Sequence, residues 1–91
     1  MKAYIITVED VVDMVSYHTT PIVRYTKKEA QKEMRSLAKE EKIRFKSQFN
    51  DVVVDTRPMC IEIYHDGYYC EDHYTVTINE VDLPDVKKVR N

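Results

Sequence analysis

Residues 26–46 read TKKEAQKEMRSLAKEEKIRFK, and this stretch decides the fold. Thr26 and Glu29 have the spacing of a capping box, in which the Thr26 hydroxyl accepts from the Glu29 amide and the Glu29 carboxylate reaches back to the Thr26 amide. Apolar side chains then recur at spacings of three, four and seven: Ala30, Met34, Leu37, Ala38 and Phe45. The stretch therefore predicts an amphipathic helix that ends near residue 47 and lies with one apolar stripe across a sheet.

Extended segments flank this helix on both sides. Alternating apolar and polar residues predict strands at 3–12, 59–64 and 74–81, because alternation places one set of side chains on a buried face. The β-prone run 21–25 predicts a short strand that pairs back on the first. The expected fold is α+β, in the order β-β-α-β-β, with an antiparallel sheet and one amphipathic helix packed on one face.

The pairing of the last two strands follows from side-chain register. A two-residue turn at Asp66-Gly67 would set Glu62 opposite Glu71, a like-charge pair. The alternative register matches apolar residues three times and leaves residues 65–72 as a loop: Ile63 with Tyr74, Ile61 with Val76, and Met59 with Ile78. The longer loop is the favoured prediction.

Composition restricts the class of protein. The chain has 91 residues, of which 43% are apolar and 33% charged, so residues 1–91 are expected to form one domain around one core. Gly67 is the only glycine, which excludes the glycine-rich loops that cradle phosphate. We expect a protein that is not an enzyme and needs no cofactor.

The cellular location is expected from what the sequence does not contain. No apolar run approaches the ~18 residues that cross a bilayer, and no basic and apolar signal segment opens the chain. We therefore expect a cytoplasmic protein without membrane contact. In such a reducing compartment, Cys60 and Cys70 are expected to be free thiols.

Two chemistries involve the cysteines and histidines. Zinc ligand types occur in the pattern Cys-x4-His-x4-Cys-x2-His, formed by Cys60, His65, Cys70 and His73. The spacing lacks the short Cys-x2-4-Cys motif that zinc sites generally contain. Cys60 and His65 should also point to opposite faces of the sheet, so these four residues are weak metal candidates. A cysteine nucleophile is also disfavoured, because the surrounding carboxylates raise a thiol pKa.

The helix carries most of the positive charge. Residues 27–46 hold eight Lys or Arg against four Glu, a net of +4. Clustered cations of this kind bind phosphates, so nucleic-acid binding is the alternative function, with four candidate residues: Lys28, Lys32, Arg35 and Lys39. A solvated helix face is the plainer explanation, since no aromatic RNA-binding motif accompanies the charges.

Tyrosines gather around the predicted loop. Tyrosine suits contact surfaces because it buries a large area with little loss of entropy and keeps a polar end. The loop therefore predicts a partner-binding surface made of aromatic and acidic residues: Tyr64, Tyr68, Tyr69, Glu71 and Asp72. The plainer interpretation is that Tyr74 and Tyr64 pack on the helix.

Three segments carry a resemblance to known proteins: residues 3–8, 25–30 and 66–74. In them the chain resembles small uncharacterised proteins of bacterial viruses and mobile elements. The resemblance implies an accessory protein that binds a partner. The leading hypothesis is a homodimeric protein-binding module that engages a host protein complex through the acidic tyrosine loop and the neighbouring sheet edge, for example as an anti-defence inhibitor. The third hypothesis is a zinc-supported domain.

Overall fold

A computed structural model describes residues 1–84 as six strands and one helix. The elements are β1 (Lys2–Val12), β2 (Val15–His18), β3 (Ile22–Arg24), α1 (Lys27–Gln48), β4 (Val52–Arg57), β5 (Cys60–His65) and β6 (His73–Asp82). The strands form one antiparallel sheet in the order β2-β1-β6-β5-β4, and β3 pairs with β1 further along the edge that carries β2. The α+β fold expected from the sequence is confirmed.

The helix begins as its capping residues predict. The amide of Glu29 donates to Thr26 Oγ1 at 3.1 Å, as predicted. The Glu29 carboxylate accepts from the Thr26 hydroxyl at 2.8 Å, whereas the sequence predicted that it would accept from the Thr26 amide. The helix ends at Gln48, one residue beyond the expected end, with Phe49 as its C-cap. Within residues 1–84, no helix combines the length and apolar character needed to cross a membrane.

The core lies between α1 and one face of the sheet. The helix contributes Ala30, Met34, Ala38 and Phe45, all buried, with Leu37 packed against them. The sheet contributes alternate residues of its central strands: Tyr4, Ile6, Val8, Ile61, Ile63, Tyr74, Val76 and Ile78. Within residues 1–84 no helix covers the opposite face of the sheet, and we call it the open face.

The strand register is the one that matches apolar residues. Ile63 pairs with Tyr74 and Ile61 with Val76, and the Met59 carbonyl accepts from the Ile78 amide at 2.8 Å. Residues 66–72 form the connecting loop. This pairing sets apolar residues opposite one another and keeps Glu62 away from Glu71, which is the reason for which it was predicted.

Two strands were not predicted from the sequence. β2 follows a two-residue turn at Asp13 and Met14, which have positive φ angles of 50° and 68°, and its four residues are all exposed, so no alternation marks it. β4 begins with three consecutive valines at residues 52–54, followed by Asp55. It is an edge strand whose first four residues are half-buried without alternation.

Candidate functional site

The loop 66–72 is held by hydrogen bonds of its own. The amide of Tyr68 donates to the His65 carbonyl at 2.9 Å, and the amides of Glu71 and Asp72 both donate to the Tyr68 carbonyl, at 3.0 and 3.1 Å. Gly67 takes the positive φ of 81° that the first turn requires. These bonds give the acidic tyrosine loop a defined shape.

Tyr68 and Tyr69 are neighbours in the chain but lie on opposite sides of the sheet. On the helix side, the Tyr68 ring stacks on His65 with centroids 4.6 Å apart, and His65 in turn stacks on Phe49 at 5.0 Å. Phe49 lies 5.4 Å from the buried Phe45 ring. An aromatic column therefore connects Tyr68 to the core.

Tyr69 lies on the open face. Its ring is parallel to that of His73, with centroids 4.2 Å apart, and meets the edge of the Tyr64 ring at 5.1 Å. Its hydroxyl donates to the Glu62 carboxylate at 2.8 Å. Burial, and then the bond to Glu62, raise the pKa of Tyr69 above the usual value of a phenol.

His73 is the anchor beneath the loop. Its side chain is almost fully buried, Nδ1 lies 2.7 Å from the carbonyl oxygen of Tyr69, and Nε2 lies 3.2 Å from the Glu9 carboxylate. Both ring nitrogens thus face acceptors. Because a carbonyl oxygen only accepts, Nδ1 is the nitrogen that donates to the Tyr69 carbonyl.

The turn between β1 and β2 is joined to this loop. The Met14 amide donates to the Glu71 carbonyl at 2.9 Å, and the Asp13 amide donates to the Asp72 carboxylate at 3.2 Å. The Met14 side chain is 70% exposed. We call the resulting surface the end surface; it consists of Asp13, Met14, Tyr68, Tyr69, Glu71 and Asp72.

The structure brings together most of the residues predicted to bind a partner. Tyr68, Tyr69, Glu71 and Asp72 share the end surface, while Tyr64 supports Tyr69 from below on the open face. Asp13 and Met14 were missed. The only sign of this turn in the sequence is an aspartate between two runs that contain valine. Two-residue hairpin turns usually contain glycine or asparagine, and neither is present here.

The four zinc candidates are not brought together. Cys60 faces Thr77 on the open face, with sulfur and hydroxyl 3.7 Å apart, whereas His65 stacks on Phe49 on the helix side. Cys70 is exposed in the loop, and both cysteines are free thiols. Within residues 1–84 no three His, Cys, Asp or Glu side chains are arranged to hold a metal ion, so the geometry lends the zinc hypothesis no support.

Six of the eight basic residues of α1 form one line. Lys28, Lys32, Arg35 and Lys39 follow one another at spacings of four, three and four, and Lys42 and Lys46 continue the series. All six are exposed, and we call them the basic stripe. Because residues three and four apart lie on the same side of a helix, the stripe runs along one flank for about 27 Å.

Comparison of the chain with models of known protein families, with curated proteins and with solved structures gave no significant match.

Proposed function

We propose that the protein is a non-enzymatic binding module that engages a protein partner through the end surface. The observation that carries this proposal is the conformation of Met14, which combines a φ of 68° with a side chain that is 70% exposed. A non-glycine residue in this region costs about 1–2 kcal/mol relative to the right-handed conformation. Such strain is typical of functional sites, and an exposed methionine that glycine could replace is best explained by contact with a partner.

The chemistry of the end surface specifies the partner. Met14 and the outer parts of Tyr68 and Tyr69 offer apolar area, since the two tyrosines remain 49% and 39% exposed. The same surface includes three carboxylates, from Asp13, Glu71 and Asp72. A complementary partner has an apolar pocket bordered by lysine or arginine, which would add both affinity and a faster encounter.

The end surface is also ordered before binding. Stacking on His65 and His73 fixes the rings of Tyr68 and Tyr69, and backbone bonds fix the turn at Met14. Association therefore immobilises few additional side chains, which lowers its entropic cost. This property supports a surface dedicated to recognition.

The resemblance to proteins of bacterial viruses and mobile elements suggests what the partner is. We propose a host protein complex in the cytoplasm, with inhibition of a nuclease or another defence complex as one concrete form. A homodimer would present two end surfaces and so increase avidity for a multisubunit target. Sedimentation of the purified chain measures that oligomeric state directly.

Affinity capture from a bacterial lysate tests the end surface. The immobilised wild-type chain is compared with Tyr68→Ala/Tyr69→Ala, and Tyr25→Ala serves as the matched control because Tyr25 is 63% exposed and precedes the start of the helix. We expect the double variant to recover at least about tenfold less of the captured protein, since central aromatic residues dominate most interfaces. If the double variant and the control recover equal amounts of the captured protein, the end surface takes no part in binding the partner.

The basic stripe favours one second candidate, a nucleic-acid-binding protein. Six aligned cations can follow a phosphate backbone, although the stripe contains no aromatic side chain for base stacking. Binding of this kind weakens steeply with salt and fails when Lys28, Lys32 and Arg35 are reversed in charge. Fluorescence anisotropy of labelled DNA and RNA across a salt series distinguishes this candidate from the first.

A further inference from the structure

The outer edge of β4 presents a row of backbone N–H and C=O groups. β4 pairs with β5, and within residues 1–84 no strand lies on its other side. The Asp66 amide donates to the Asp51 carbonyl at 3.0 Å, which makes these two a hydrogen-bonded pair. Since such pairs alternate along antiparallel strands, residues 53, 55 and 57 bond to β5 and residues 52, 54 and 56 direct their N–H and C=O groups outward.

The same alternate residues point their side chains toward the helix. Val54 and Thr56 pair with the buried Ile63 and Ile61, so they share the face that α1 covers. Between them and the helix lies a groove of about 240 Å3. It is lined by Val54, Thr56 and Ile61 from the sheet and by Arg35, Ala38, Lys39 and Lys42 from the helix.

The cations of this groove are not neutralised by the described part of the chain. Within residues 1–84, none of Arg35, Lys39 and Lys42 lies within ion-pair distance of a carboxylate. Arg24 and Arg44, by contrast, are paired with carboxylates. The groove beside β4 therefore combines an apolar floor, a positive wall and an open strand edge.

We propose that this edge binds an extended acidic segment of a partner protein, which adds to the sheet as a further strand. Residues opposite each other in paired strands share a face, so the residues opposite Val54 and Thr56 would point at the positive wall. Carboxylates at alternating positions lie about 7 Å apart along a strand, and the helix from Arg35 to Lys42 spans about 10 Å. An acidic residue at every second position therefore matches the wall.

Charge distinguishes this occupant from a second copy of the chain. Antiparallel pairing of β4 with its own copy would place both helices on the same face, with the positive walls facing each other across the new interface. Like charges at that distance oppose the pairing. A nucleic acid would engage the basic stripe along its whole length and would leave the backbone groups of β4 unpaired.

Two synthetic peptides test the proposal with the full chain. One, of about eight residues, alternates glutamate with valine, and the other has the same composition with its glutamates consecutive. Amide chemical shifts of the 15N-labelled protein report the site. We expect the alternating peptide to shift the amides of Val52, Val54 and Thr56 and to bind more tightly than the consecutive one. Absence of those shifts at about 1 mM peptide would overturn the proposal.

Paired charge reversals locate the interaction on the helix. Lys39→Glu/Lys42→Glu changes the groove, while Lys28→Glu/Lys32→Glu makes the same charge change elsewhere on the basic stripe. We expect the groove variant to weaken the alternating peptide at least about tenfold and the control less than about threefold. If the charge reversal unfolds the chain, Lys39→Gln/Lys42→Gln is compared with Lys28→Gln/Lys32→Gln. We again expect the groove variant to lose more affinity for the alternating peptide than the control.

Three results would contradict the proposal that β4 binds an acidic strand. Equal loss in both variants would indicate general electrostatic attraction. Tighter binding of an oligothymidylate than of the alternating peptide would assign the surface to nucleic acid. Shifts of the β4 amides on concentrating the protein alone would assign the edge to a second copy. The end surface takes no part in these measurements. Their failure would therefore not contradict the proposed function, which the capture experiment tests separately.

Discussion

The rings of Tyr69 and His73 lie nearly parallel, 4.2 Å apart at their centroids and inclined by 9°, and the backbone carbonyl of Tyr69 also accepts from Nδ1 of His73. One histidine at the start of β6 thus holds both the side chain and the main chain of a loop residue four positions earlier. Its second nitrogen reaches Glu9 on β1. The loop is thereby bonded to two strands of the sheet.

Replacement of His73 by phenylalanine should therefore loosen the loop. His73→Phe keeps a ring for Tyr69 to stack on but removes both hydrogen bonds, leaving the Tyr69 carbonyl without its donor. We expect the free energy of unfolding in urea to fall by about 1–3 kcal/mol. His18→Phe is the control, because His18 lies 3.8 Å from the same Glu9 yet its side chain is 67% exposed. Equal losses in the two variants would contradict an anchoring role for His73.

Burial explains which parts of the fold were predictable from the sequence. The pairing of Ile63 with Tyr74 and the cap at Thr26 follow from local patterns, since one apolar face must meet α1 and one hydroxyl must bond the first turn. β2 is exposed throughout and β4 is half-buried along most of its length, so neither has the alternation that marks a strand.

The candidate site was predictable to a similar extent. Tyr68 and Tyr69 were identified because tyrosines in a loop suggest contact, but their separation onto opposite sides of the sheet depends on stacking with His65 and His73. Met14 was not identified, because a methionine with positive φ contradicts the usual turn chemistry and the neighbouring Asp13 was the sole sign of a turn. Its position depends on a backbone bond to Glu71, fifty-seven residues away in sequence.

Tyr74 predicts how stability depends on alkaline pH. Burial, followed by the carboxylates of Glu41, Asp10 and Glu40, raises the pKa of Tyr74 to about 12. A tyrosine in the unfolded chain titrates near 10, as is usual for a phenol. Unfolding therefore releases a proton between about pH 10 and 12, and stability that is present below pH 10 is lost as the pH rises through this window.

Tyr74→Phe should flatten that dependence. The variant lacks the buried phenol, so its stability should fall less than that of the wild type between about pH 10 and 12. Urea titrations at several alkaline pH values measure the difference. The control is Tyr25→Phe, which removes the hydroxyl of an exposed tyrosine. A steep alkaline loss that persists unchanged in Tyr74→Phe would assign it to other groups.

The helix cap provides a prediction about stability alone. Thr26→Ala removes the acceptor for the Glu29 amide and the donor to its carboxylate, so we expect a loss of about 1 kcal/mol in the free energy of unfolding. Ser36→Ala is the control because Ser36 is exposed within the same helix. Alanine favours helix there, so this variant should be as stable as the wild type or slightly more stable. Equal stability of Thr26→Ala and the wild type would show that the cap is dispensable.

Met14→Gly should separate stability from binding. Glycine adopts the φ of 68° without strain, so the variant should gain about 0.5–1 kcal/mol in the free energy of unfolding, yet it loses the exposed side chain of the end surface. Asp51→Gly is the matched control, since Asp51 has a φ of 55° but lies outside the end surface. Urea unfolding should show a gain for both variants, whereas capture of the partner should weaken only for Met14→Gly. If Met14→Gly is more stable than the wild type and captures the partner equally well, the strain at this turn has no connection with recognition. In that case the strain was removed without any loss of binding.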